Sequence, residues 1–277
     1  MAGKNKQKID TAVIAAAGSG TRLLPLTLHQ PKAMVPVADR PLIHYIIDQV
    51  AVGGIKQFIV VINPDFQAVR KYIDYQVRQK EWRGIKFKII EKRSKSFADS
   101  ILAAEKFIHD RHFFAVACDD LLDDQPPPFL SLVKIFNRFH QPVAVLRQVT
   151  RKEISSYGGV SVTAIAKDLW RVRDIIEKPH AKEAPSNLGS MADYILPPDI
   201  FRYIRLAQKT LPKNKEVAVA HALKIYLQKR GKLLGWVFRG RHFDGGSKIG
   251  LAKASVYFGV KHPELGASFK KYLKLLE

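Results

Sequence analysis

A glycine loop followed by two fixed cations is the first feature of this sequence that could do chemistry. Residues 15–22 read Ala-Ala-Ala-Gly-Ser-Gly-Thr-Arg. Ala15, Ala16, Ala17 and Gly18 carry little or no side chain, and Gly18 and Gly20 can take positive φ. Backbone N–H groups can therefore approach a phosphate or a base edge. Arg22 sets a planar positive fork beside the loop. In Pro-Lys-Ala-Met-Val-Pro-Val at 31–37 the flanking prolines stiffen the segment that carries Lys32, which fixes where its ammonium points. Two cations beside such a loop suit a run of phosphates. A bare Gly-x-Gly, taken alone, is more often a tight turn with a surface arginine. Two better-known phosphate patterns fail: no lysine follows Gly20, and Leu23 stands where a dinucleotide fingerprint needs its third glycine.

The elements that must position these residues alternate. Apolar runs at 12–16, 57–62, 85–90, 113–117 and 143–149 read as strands, with helical periodicity between them over 42–51, 64–79 and 98–108. The prolines at 126–128 start another helix. Such alternation predicts βαβ units, and the runs at 12–16 and 57–62 suit strands covered on both faces. The loop then opens from the C-terminal end of a parallel strand, where open α/β sheets bind ligands. The second half is less regular, with strands expected at 158–163, 170–177, 189–196 and 233–238. Helices are expected at 198–208, 216–230, 246–258 and 265–276.

Composition excludes several classes. The 277 residues are 47% hydrophobic and 26% charged, ordinary for a globular protein. One cysteine permits no internal disulfide framework, and a cytoplasmic protein is expected. The apolar stretch near the N-terminus, Ala12 to Ala17, is too short for a secretory leader, and no run suits a membrane span. The net charge of +21 points to polyanions. It is dense at 66–95, where ten Lys and Arg face three acids and Tyr72, Tyr75, Trp82 and Phe87 are interleaved. That pattern is compatible with nucleic-acid stacking. The favoured reading is a solvated basic face with its aromatics in the core, so nucleic acid is not the expected partner.

Further motifs follow in order: Phe-Ala-Val-Ala-Cys-Asp-Asp-Leu-Leu-Asp at 114–123, Tyr-Gly-Gly-Val at 157–160, Ile-Ile-Glu-Lys-Pro at 175–179, Ala-Pro-Ser-Asn-Leu at 184–188 and Phe-Asp-Gly-Gly-Ser-Lys at 243–248. Together with the glycine loop and the Lys32 segment, this series resembles the sugar-phosphate nucleotidylyltransferases, and within them the bacterial UTP–glucose-1-phosphate uridylyltransferases. The resemblance spans about residues 10 to 275. It implies a three-layer α/β fold, Rossmann-like, with a mostly parallel central sheet and a β-rich sugar-binding extension. One domain over 1–277 is expected, divided into a basic tail at 1–10, a nucleotide-binding half at 11–150, a sugar-binding half at 151–260 and a C-terminal helix at 261–277.

The reaction the resemblance implies joins an NTP, UTP first, to a sugar 1-phosphate, glucose 1-phosphate first, giving NDP-sugar and pyrophosphate. A sugar-phosphate oxygen is already anionic at neutral pH, so the protein need only align two polyanions and neutralise charge. Arg22 and Lys32 would do this, and Ala17, Gly18, Ser19, Gly20, Thr21 and Glu91 would meet the nucleotide. Gly158, Glu177, Lys178, Ala192 and Glu216 would meet the sugar phosphate. Asp119 and Asp244 would hold Mg2+, with Asp120 the adjacent competitor. Taken alone, either aspartate also reads as a strand end or a helix cap. The resemblance loosely suggests a homo-oligomer.

Departures fall on the base and sugar side. Glu91 stands nearest a usual base-pairing glutamine. Ser96 and Ala98 replace glycines, so that Phe97 and Ala98 would narrow the base pocket. Ala192 replaces a glycine, Asp193 an arginine, Ala33 a glutamate and His221 an aspartate. Three readings follow: an ordinary uridylyltransferase of a divergent lineage, an enzyme with changed base or sugar preference, or a paralogue that binds nucleotide sugar with weak turnover.

Overall fold

The structure is a computed structural model that describes residues 9–212 and 214–276. Residues 1–8 of the expected basic tail lie outside the described residues. Along the chain come β1 (Thr11–Ala16), β2 (Pro36–Val37), β3 (Arg40–Pro41), α1 (Leu42–Ala51), β4 (Gln57–Ile62), α2 (Ala68–Arg78) and β5 (Lys86–Glu91). Then follow α3 (Phe97–Ala103), β6 (Phe113–Ala117), β7 (Asp120–Asp123), α4 (Pro128–Phe139), β8 (Val143–Gln148), β9 (Gly158–Ala166) and β10 (Leu169–Glu177). The rest is β11 (Leu188–Leu196), α5 (Ile200–Thr210), α6 (Val219–Arg230), β12 (Leu234–Val237), β13 (Arg241–Asp244), α7 (Lys248–Lys261) and α8 (Gly266–Leu273).

Nine strands form one sheet in the order β5-β4-β1-β6-β11-β8-β12-β10-β9. Seven run one way; β11 and β10 oppose them. Strand alternation divides the core in two, because successive side chains leave a strand on opposite faces. Ile14, Phe58, Val60, Phe114 and Val145 pack with α1, α2 and α4 on one face. Val13, Ile59, Val61, Phe113 and Leu146 pack with α3, α5 and α6 on the other. Helices on both faces make three layers. The long hairpin β9–β10 is the expected β-rich part.

Several boundaries differ from the sequence reading by three residues or more, and two of them lie beside the site. The helix expected at 98–108 ends at Ala103 and continues only as a 3-10 turn over Glu105–Phe107. The helix expected from Glu216 begins only at Val219, where the His221 ring caps the first turn by accepting the Ala218 N–H at 3.0 Å. Glu216 therefore stays on a loop. In the basic stretch, Trp82 is buried and donates to Asp48 at 2.8 Å, Tyr72 bonds His44, and Phe87 stacks on Phe58. Of its four aromatics only Tyr75 is exposed, so the stretch offers no stacking platform. Among the described residues no helix is long and apolar enough to cross a membrane.

Candidate active site

The C-terminal ends of β1, β4 and β6 open into two chambers that share a wall. The larger, about 670 Å3, is lined by Ala17, Gly18, Ser19, Gly20, Thr21 and Lys32, and on its far side by Asn63 and Arg93–Phe97. The smaller, about 290 Å3, is lined by Tyr157, Gly158, Glu177, Lys178, Asp120, His242 and Asp244. Arg22, Phe97, Asp119, Ala192 and Glu216 line both. A ligand in one chamber thus meets a ligand in the other beside Asp119.

The glycine loop holds its shape through Gly20. Its φ is +66°, and Thr27 Oγ1 donates to its carbonyl at 2.8 Å. A Cβ there would lie 2.8 Å from Thr27 Cγ2 and 3.0 Å from Lys32 Cβ, so only glycine fits. Pro31 is extended and leads into a 3-10 turn over Lys32–Met34, which sends Lys32 back towards the loop.

Asp119 and Asp244 are 125 residues apart in sequence. They meet because β7 and β13 pair as a separate two-stranded ribbon, and because Gly245 N–H donates to the Asp119 carbonyl at 2.8 Å. Lys32 Nζ donates to Asp119 Oδ2 at 2.6 Å, and Arg22 Nη1 donates to Asp244 Oδ2 at 3.1 Å. Burial works against the Lys32 charge, but the Asp119 carboxylate outweighs it and holds the ammonium above its ordinary range. Gly246 faces both acids. A Cβ there would collide with Asp119 Oδ2, lie 2.7 Å from Arg22 Nη2 and reach Asp244 Oδ1 at 3.0 Å.

In the smaller chamber Glu177 ends β10, and burial, with the nearby Glu216 charge, raises its pKa despite Lys178. Lys178 takes a left-handed backbone, φ +46°, which turns the chain sharply after the strand; its side chain is exposed. Non-glycine residues adopt this conformation rarely, and such strain gathers at functional sites.

One expected contact is absent. Glu91 lines neither chamber; at the end of edge strand β5 it accepts a 2.7 Å bond from Arg70. The facing wall is instead Asn63 and Arg93–Ser96. Phe97 and Ala98 do not shut the larger chamber. Ala98 points into the core, and the Phe97 ring stands at the junction, stacked near Tyr194 at 6.3 Å. The resemblance points to this wall through Ser96 and Phe97; Asn63 and Arg93 carry no signal in the sequence.

Asp193 on β11 is fully buried, and neither carboxylate oxygen has a hydrogen-bond partner among the described residues. Burial, with the charges of Asp120 and Asp119, holds its pKa well above the ordinary value. The native state then binds a proton that the unfolded chain releases near pH 4, so stability falls as pH rises from there through the native pKa. Asp193→Asn removes that penalty. Thermal melts should show a higher melting temperature for the variant at pH 8, with the gain shrinking towards pH 5. A lower melting temperature at pH 8 would contradict this account.

A family profile described as nucleotidyl transferase matches residues 11–257. The chain belongs to the nucleotidyl transferase family. A UTP–glucose-1-phosphate uridylyltransferase of Staphylococcus epidermidis is 28% identical to this family member, over 98% of this chain and 99% of the relative. One of Bacillus subtilis is 28% identical over 97% and 96%. A solved UDP-glucose pyrophosphorylase complexed with UDP-glucose superposes with a TM-score of 0.83 at 27% identity, covering 92% of this chain and 100% of that one. The Acinetobacter baumannii UDP-glucose pyrophosphorylase gives 0.85 at 25% identity, covering 98% and 100%. This nucleotidyltransferase shares their fold, a mixed α/β architecture around a central sheet.

Proposed function

We propose that this nucleotidyltransferase joins UTP to glucose 1-phosphate, giving UDP-glucose and pyrophosphate, and does so in the cytoplasm with a divalent cation. The observation that carries the reading is the pair of chambers meeting at Asp119, with cations along the first and carboxylates and Lys178 in the second. In this reading the triphosphate lies along the glycine loop of the larger chamber and the sugar phosphate occupies the smaller. A phosphate oxygen of the sugar phosphate forms a bond to the α-phosphorus. The bond from that phosphorus to the β-phosphate bridge breaks in line, and pyrophosphate leaves with the electron pair. The nucleophile is already an anion, so no side chain needs to remove a proton.

Lys32 and Arg22 pair with Asp119 and Asp244. Phosphate oxygens entering the larger chamber compete for those same two cations, which thereby come to bear the charge that builds up on the departing pyrophosphate. In this reading Glu177 and Glu216 would accept hydrogen bonds from sugar hydroxyls, and Lys178 would face the sugar phosphate. The two carboxylates fit Mg2+. They are hard oxygen donors that converge where only the hydrogen of Gly246 leaves room, and Mg2+ is commonly held by one or two carboxylates plus substrate phosphates. When bound there, Mg2+ would supply further charge neutralisation to the phosphates.

Pyrophosphate release with glucose 1-phosphate and each of UTP, dTTP, CTP, ATP and GTP tests the reading. UTP is expected to give the highest kcat/KM, by at least about tenfold over CTP. No release with any pair, in Mg2+ or Mn2+, sinks the glucose assignment. A preference for another nucleotide would favour the altered-base reading, which the detachment of Glu91 from the chamber supports.

A further inference from the structure

The β7–β13 ribbon carries more than the two meeting carboxylates. In its register Asp244 lies directly opposite Asp120, and His242 opposite Leu122. Directly opposed residues and every second residue of a strand share a face, so Asp120, His242 and Asp244 project from the same side. Like charges directly opposed repel. Asp120 also lines the smaller chamber, which makes it the nearest rival to Asp119 for any cation that Asp244 helps to hold.

A relay holds that rival. His242 Nε2 lies 2.9 Å from Asp120 Oδ1, and His242 Nδ1 lies 2.8 Å from Arg147 Nη1. A guanidinium can only donate, so Nδ1 is the acceptor and the ring proton sits on Nε2, aimed at Asp120. The His242 side chain is only 3% exposed, so these two contacts are its polar partners in the core of the site. Arg147 belongs to β8 of the main sheet, so the relay ties the ribbon to the scaffold. Burial alone would raise the Asp120 carboxyl, but the bond from His242, the Lys32 charge and an Ala192 N–H bring it below its ordinary value.

We propose that His242 is a positioning residue, which by holding Asp120 leaves the convergence at Gly246 to Asp119 and Asp244 and keeps the other cation positions free for phosphate oxygens. This rests on the metal reading of those two aspartates. Freed by His242→Leu, Asp120 would add a third carboxylate. The cation would bind more tightly and the phosphates less productively, so affinity and turnover should move in opposite directions. A mere packing defect weakens both.

The test titrates Mn2+ alone into the nucleotide-free protein by electron paramagnetic resonance, with kcat measured separately. For H242L we expect about tenfold tighter Mn2+ and about tenfold lower kcat. H242Q, whose amide can donate to Asp120 and accept from Arg147, should stay within about threefold of the parent in both. D120N/H242L should match D120N in both readouts, because the two residues act as one unit. Weaker Mn2+ in H242L, no change in either quantity, or a double variant that keeps the whole H242L effect overturns the proposal. Should H242L fail to fold, D120N decides: Mn2+ affinity within about threefold of the parent supports it, and a loss beyond about tenfold marks Asp120 as a ligand and overturns it. A parent that binds no Mn2+ defeats the metal reading, and the proposal with it; Mn2+ binding that H242L leaves untouched defeats the proposal alone.

Discussion

Asp119→Asn is expected to lower kcat by about a thousandfold while leaving UTP binding intact or tighter. The substitution keeps the shape of the side chain and removes its charge. Two consequences follow from the geometry. The convergence at Gly246 loses one of its two anionic donors, so charge on the phosphates in the transition state goes unneutralised. Lys32, now bonded to Asp119 at 2.6 Å, is released towards the glycine loop, where it can serve the triphosphate. Ground-state binding and transition-state stabilisation are thus pulled apart, the pattern of a residue that acts in the chemical step. Calorimetric titration with UTP in chelator, alongside steady-state kinetics, checks both halves. Full activity in D119N removes Asp119 from the chemistry; a large loss of UTP affinity in chelator would mean that the Lys32 argument is wrong.

Gly246→Ala should cost about a hundredfold in kcat with a nearly unchanged melting temperature. Here a single methyl group does the damage. Its carbon would overlap Asp119 Oδ2 and crowd Arg22 Nη2 and Asp244 Oδ1, so both acids and the guanidinium must shift. Displacements of about 1 Å in such a constellation are enough for losses of that order. The three nearest atoms are all tips of charged side chains at the site rather than apolar core, so the fold has little to lose. Steady-state kinetics beside a thermal melt is the check. G246A with parental kcat would show that the two carboxylates need not converge there.

The strands were legible because their apolar runs are long and doubly covered. β1 and β4 fall within a residue of the expected limits. The glycine loop and Lys32 were legible because local backbone chemistry, Gly20 and Pro31, fixes them. Glu91 was not. Its placement depends on Arg70, a helix residue 21 positions earlier, and no local pattern announces that pairing. Glu216 reads as helical because nothing in its neighbours breaks a helix; the cap that excludes it comes from the His221 ring, reached only once α6 has formed. Arg147 and His242 gave no signal, since their partnership spans 95 residues and exists only in the assembled sheet.

The pairing of β7 with β13 also sets an order of events in time. A growing chain completes the glycine loop, Arg22, Lys32 and Asp119 long before residue 241 emerges, and until then β7 has no partner strand. An unfinished chain could therefore cradle phosphates without the second carboxylate or the Gly245–Gly246 turn that docks on Asp119. Joining β13 to β7 requires closing a loop of more than a hundred residues, one of the last long-range contacts available to the chain. The nascent protein would thus acquire a grip on phosphates before it acquires the means to react them.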